Sequence, residues 1–138
     1  MSIRTLFLIL LFFLFSACEE KRTPILKKSA TLQTPISCMR LNPLMEGEEF
    51  VDLLKQYYPF KRECPLTLTL SYKRDIVCNS TYNALSKNMG KFPKSFIKLE
   101  LRKGLEVVYS YYVDLYSNVD EDDLIEGMNQ LKKDLLSK

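Results

Sequence analysis

The sequence predicts an α+β domain: a small, mainly antiparallel sheet with helices packed on one face, in the order helix, strand, helix, strand, strand, helix. Three observations carry this. Leu66, Leu68, Leu70 and Tyr72 alternate with Thr67, Thr69 and Ser71, the period-two pattern of a half-buried strand. A longer alternation covers Ile97, Leu99 and Leu101, then Leu105, Val107, Tyr109, Tyr111, Val113 and Leu115, and is interrupted at Gly104 as a hairpin would be. Leu124, Met128, Leu131 and Leu135 recur at helical spacing. Helices and strands in such an order bury their apolar faces against one another in two layers.

The elements follow from local chemistry. In EGEEFVDLLKQYYP, Phe50, Leu53, Leu54 and Tyr57 share one helical face, acidic residues fill the first turn and Pro59 closes the run. The strand in CPLTLTLSYK comes next. NSTYNALSKNMG offers an Asn/Ser/Thr cap, apolar Tyr82, Leu85 and Met89, and a Gly90 stop, so a second helix is expected there. Its Asn79-Ser80-Thr81 also matches a glycosylation sequon, but reads as the helix cap.

In the hairpin, both apolar sets share a face only if an odd number of residues separates them, because one residue of slip turns a strand over. A loop of Arg102, Lys103 and Gly104 satisfies this and sets Glu100 opposite Glu106; a two-residue shift would pair Arg102 with Glu106 instead. The last helix begins at the acidic run Asp120 to Asp123, where the helix dipole favours negative charge, and carries Lys132 and Lys133 near its end. That run lacks the ligand spacing and central glycine of a calcium loop, so no metal site is expected.

Composition narrows the function classes. With 138 residues, 46% apolar and 27% charged, one folded domain is expected. The net charge is only +3 and the basic residues are dispersed, which argues against a nucleic-acid partner. Histidine is absent, so triads of the Ser/His/Asp kind and Cys/His zinc sites are excluded. No catalytic residue and no cofactor is expected. Glu100, Glu106 and Asp114 read as the solvated side of the sheet rather than as an acid/base set.

The N-terminus has its own logic. Arg4 precedes an unbroken apolar run from Leu6 to Phe15, then Ser16 and Ala17: the tripartite plan of a secretory signal, too short to span a bilayer. Phe15-Ser16-Ala17-Cys18 resembles the lipobox of bacterial lipoproteins, with Phe15 where leucine is usual and Leu14 one place earlier. The resemblance, which covers about the first 20 residues, implies lipid attachment to the Cys18 sulfur, cleavage before Cys18 and acylation of the new amino group. Two or three acyl chains would anchor the protein stably. Glu19, not Asp, follows the cysteine, which implies the outer membrane rather than the inner.

The organisation expected is therefore a signal peptide over residues 1–17, a lipidated cysteine and flexible tether over 18–37 reaching roughly 60 Å, and a folded domain over 38–138. In an oxidising compartment, Cys64 and Cys78 would close a loop around the first strand and leave Cys38 as a free thiol, although Cys38 could bond either one. Phe96, Val108, Tyr112 and Tyr116 fall on the sheet face opposite the expected core and form a candidate partner surface, the alternative being that a second helix or the N-terminal segment covers this face. Together these residues lead to an expectation of a membrane-anchored, non-enzymatic envelope module that binds or helps assemble a protein partner. The alternative is a lipid or glycolipid carrier with an apolar groove between helices and sheet.

Overall fold

The computed structural model describes residues 23–42, 47–77 and 92–137. Their elements are β1 (Ile25–Lys28), β2 (Arg40–Leu41), α1 (Glu48–Tyr57), β3 (Leu66–Lys73), β4 (Ser95–Lys103), β5 (Glu106–Leu115) and α2 (Glu121–Leu135). The strands form one sheet in the order β1-β5-β4-β3-β2. The fold is α+β, but the sheet is mixed. β2 joins β3 in parallel, whereas the other three pairings are antiparallel. The parallel step arises because the chain returns from β2 to β3 through α1, the crossover that adjacent parallel strands require. The helix expected over NSTYNALSKNMG lies outside the described residues.

Alternation decides which side of the sheet is packed. Leu66, Leu68 and Leu70 of β3, Ile97, Leu99 and Leu101 of β4, and Tyr109, Tyr111 and Val113 of β5 are buried on one face. Phe50 and Leu54 of α1 and Leu124, Met128, Leu131 and Leu135 of α2 complete that core. Both helices therefore lie on the same side. The close approach of α2 depends on Gly127, where an added Cβ would sit 3.0 Å from Leu99 Cδ1 and 3.1 Å from Tyr111 Cε1. The start of α2 is a reciprocal cap: Asp120 Oδ1 accepts from the Asp123 N–H at 3.1 Å, and Asp123 Oδ2 accepts from the Asp120 N–H at 2.9 Å.

Arg74, just past β3, ties the layers together. Its guanidinium pairs with Glu49 of α1 at 2.7 Å, donates to the Val119 carbonyl at 3.1 and 3.2 Å, and lies over the Phe50 and Tyr72 rings. The buried Ser95 hydroxyl is satisfied by the Ser117 carbonyl at 2.5 Å.

The hairpin differs from both registers expected. Its loop holds two residues, Gly104 and Leu105, so that Lys103 faces Glu106 and Glu100 faces Ser110. Gly104, at φ +62°, takes the first loop position, where a two-residue hairpin turn favours glycine. An even loop alone would turn β5 over. A bulge between Leu101 and Arg102 restores the parity: Arg102 faces Val107 and Leu101 faces Tyr109, so Val108 is the inserted residue. Tyr109, Tyr111 and Val113 thus keep their inward places, while Leu105 at the tip is 95% exposed.

The N-terminal boundary also shifts. Ile25–Lys28, within the stretch expected to be a flexible tether, is a sheet strand paired with Tyr109–Tyr112 of β5. Lys28 Nζ donates to the Asp134 carbonyl at 3.2 Å, and the Ile36 N–H donates to the Leu135 carbonyl at 2.8 Å, so the following turn is held against the end of α2. The sheet therefore includes residues that precede residue 38, the start of the folded domain expected from the sequence.

Candidate functional site

The cysteines pair differently from the favoured expectation. Cys38 is bonded to Cys64 across 26 positions of sequence, so Cys38 is not a free thiol and Cys64 is not joined to Cys78. The reason is geometric. The Lys61 N–H donates to the Met39 carbonyl at 2.9 Å and lays the segment after α1 beside the lead into β2, which brings the two Cα atoms to 5.9 Å. Cys78 lies outside the described residues, as does Cys18, the proposed lipid site.

The sheet face turned away from the helices carries the candidate partner residues. Phe96 and Tyr112 are both half-buried there and stack with ring centroids 5.6 Å apart at 29°. The Tyr112 hydroxyl donates to Asp114 Oδ1 at 2.7 Å. Tyr116, on the same face by alternation, lines a recess of about 280 Å³ with Thr23, Ile25, Tyr112 and Asp114. Beside it a recess of about 600 Å³ is bordered by Ile25, Lys27, Lys98, Glu100, Val107 and Tyr112. Val108 also lines this recess but offers almost no surface to it. It is only 2% exposed, because it is the bulge residue and because the chain continuing from β1 covers it, the Ser29 N–H donating to its carbonyl at 2.8 Å.

Sequence reasoning missed Ile25, which is 57% exposed and sits directly beside Tyr112 on this face. Only the pairing of β1 brings it there.

The face is electropositive. Register places Lys27, Arg40, Lys73, Lys98 and Arg102 on it, against Glu100 and Asp114. Glu100 is held by Lys98 at 2.5 Å and Arg102 at 3.1 Å. Burial pushes its pKa upward, but hydrogen bonds and charge from Lys98 and Arg102 outweigh that and hold the carboxyl below its ordinary range. A carboxylate held ionised in this way is suited to fixing two basic side chains and poorly suited to proton transfer near neutral pH. Glu106 is exposed at the hairpin turn and Asp114 is engaged by Tyr112, so the three carboxylates do not converge. Among the described residues no cluster of three or more carboxylates and thiols could hold a metal ion.

A second feature lies at the far corner of the sheet. A groove of about 650 Å³ is lined by Arg40, Leu41, Lys55, Tyr58, Pro59, Phe60, Lys61 and Arg62. Tyr58 and Phe60 meet edge-on with centroids 5.1 Å apart. Burial raises the Tyr58 phenol, opposed by a hydrogen bond from the Met39 backbone. Sequence reasoning did not single out the adjacent aromatic and basic residues of Tyr57-Tyr58-Pro59-Phe60-Lys61-Arg62, and only the fold adds Arg40 and Lys55 to them.

No family model, curated protein or solved structure matches this chain.

Proposed function

We propose that this chain is a non-enzymatic, lipid-anchored module of the bacterial cell envelope, held at the outer membrane through acyl chains on Cys18, which binds or helps assemble a protein partner through the outer face of its sheet. The observation that carries this reading is the stacked Phe96–Tyr112 pair on a face that neither helix covers, flanked by the exposed Ile25. Aromatic side chains contribute large contact area at low entropic cost and are enriched where proteins meet.

The start of β1 supports the anchored geometry. Four residues, Glu19 to Arg22, lie between Cys18 and Thr23, so the acylated cysteine would hold the edge of the sheet within about 18 Å of the bilayer. This is a short leash rather than the 60 Å tether expected from composition, and it restricts the domain to partners that approach the membrane.

The test is photo-cross-linking in intact cells with a photoreactive amino acid at Tyr116 or at Lys73 on the outer face, and at Glu126 on α2 as a control. A single partner captured from the outer face and not from α2, and lost when Phe96 and Tyr112 are both changed to Ala, is the expected outcome. Equal capture from both faces, or capture indifferent to those two residues, would contradict the assignment.

A further inference from the structure

We infer that the groove beside β2 is a second contact on the partner, built to receive an acidic segment of that protein; this rests on the partner-binding reading above and names the chemistry the partner must carry. The groove combines four cations, Arg40, Lys55, Lys61 and Arg62, with the apolar surfaces of Leu41, Tyr58, Pro59 and Phe60, and no lining residue is acidic.

The cations differ in how far they are already engaged. Arg40 Nη2 donates to Thr67 Oγ1 at 2.9 Å, which aims its guanidinium without neutralising it. Lys55 faces Asp52 at 3.9 Å, a loose and exposed pair. Lys61 and Arg62 are exposed and form no ion pair among the described residues. They sit immediately after Pro59 and Phe60, with the Phe60 N–H donating to the Tyr58 carbonyl and the Lys61 N–H to the Met39 carbonyl, so the backbone that carries them is fixed against the core. Such preorganised cations over aromatic and apolar walls suit carboxylates interspersed with small apolar side chains.

Position favours a protein segment over lipid headgroups. β1 and β2 are the two edges of a five-stranded sheet, about 19 Å apart at the usual strand spacing. The row containing Ile25 continues through Tyr112 and Lys98 to Ser71, whereas Arg40 faces Thr67, four residues or about 13 Å further along β3. The groove is therefore diagonally opposite the corner where the chain from Cys18 enters. One partner laid across the outer face would meet the aromatic pair near the anchor and the basic groove at the far edge.

The experiment uses the full lipidated chain in phosphatidylcholine nanodiscs, titrated with a fluorescein-labelled decapeptide of alternating Glu and Ala bearing one central Leu. Fluorescence anisotropy should show saturable binding that weakens with salt, falls at least tenfold in the Lys61→Glu/Arg62→Glu double variant and in Arg40→Gln, and stays within twofold in Lys94→Glu/Lys133→Glu, which changes the same charge elsewhere. Unfolding curves that match wild type keep the variants interpretable. The inference is overturned if the wild type does not bind, if the Lys94/Lys133 variant loses as much, if a peptide with Gln in place of Glu binds equally, or if phosphatidylglycerol vesicles displace the peptide through the same residues. Outer-face cross-linking that persists in the Lys61→Glu/Arg62→Glu variant while peptide binding is lost would leave both readings standing; cross-linking that persists when the wild type binds no peptide removes only the groove.

Discussion

Ile25 lies directly opposite Tyr112 in the β1–β5 ladder, on the face of the sheet turned away from α1 and α2. That one pairing sets the geometry proposed for this protein. It converts most of the expected tether into part of the fold, leaves four residues between Cys18 and Thr23, and places an exposed apolar residue beside the aromatic stack.

The two sheet faces should respond oppositely to the loss of a tyrosine. Tyr109 is buried and donates to Asp134 Oδ2 at 2.8 Å, so Tyr109→Ala is expected to cost about 3–5 kcal/mol of stability. Tyr116→Ala, on the half-buried outer side, should cost less than about 1 kcal/mol. Urea unfolding of both variants measures the contrast, and equal losses would mean that the outer face is packed.

Gly127 sets how closely α2 can approach the sheet. Elsewhere in a helix its replacement would help, since glycine is a poor helix former by about 1 kcal/mol. Here a valine would drive methyl groups into Leu99 and Tyr111, both buried, so Gly127→Val should destabilise by about 1–3 kcal/mol in chemical denaturation. A stabilised variant would contradict the observed contact.

The disulfide gives a redox-dependent stability. Closing a loop over the 26 positions between Cys38 and Cys64 is worth about 3.5 kcal/mol in the chain-entropy model. Reduction should lower the unfolding midpoint of the wild type and leave a Cys38→Ser/Cys64→Ser variant unmoved. Peptide mapping without reduction should recover Cys38 joined to Cys64; recovery of Cys64 joined to Cys78 would refute the pairing.

Alkaline pH should weaken the fold through two core phenols. Burial pushes Tyr111 up to about 12, assisted by the charges of Glu126 and Asp123, and burial with the Asp134 hydrogen bond drives Tyr109 higher still. Unfolded tyrosine ionises near 10, so the unfolded chain releases protons that the folded one retains, and stability falls as pH rises from about 10 towards 12. Each phenol contributes a slope of up to about 1.4 kcal/mol per pH unit. Tyr111→Phe should show a flatter decline than wild type in unfolding measured across that range, and an identical decline would contradict the burial argument.

What the sequence showed, and what it concealed, follows from where each element gets its stability. β3, β4, β5, α1 and α2 carry their own periodicity, because each buries one face against a core. β1 and β2 carry none. With four and two residues, ILKK and RL have no room to alternate, and they are strands only because β5 and β3 offer them edges to pair with. Missing β2 also meant missing the parallel step. The bulge at Val108 was hidden for a related reason: parity required one odd residue between the two strands, but nothing local said whether it sat in the loop or in the ladder. The Phe96–Tyr112 face was legible from alternation, whereas the basic groove draws on three separated segments and needed the fold to assemble it.

Everything proposed about location and reach depends on Cys18 being the first residue of the mature chain and carrying lipid. The direct measurement is the intact mass of the protein extracted from membranes of its native host. The expected result is a chain that starts at Cys18, has lost residues 1–17 and carries the added mass of two or three acyl chains. A mature chain that begins elsewhere, or that carries no acyl mass, would contradict the anchored reading and release the domain from the membrane.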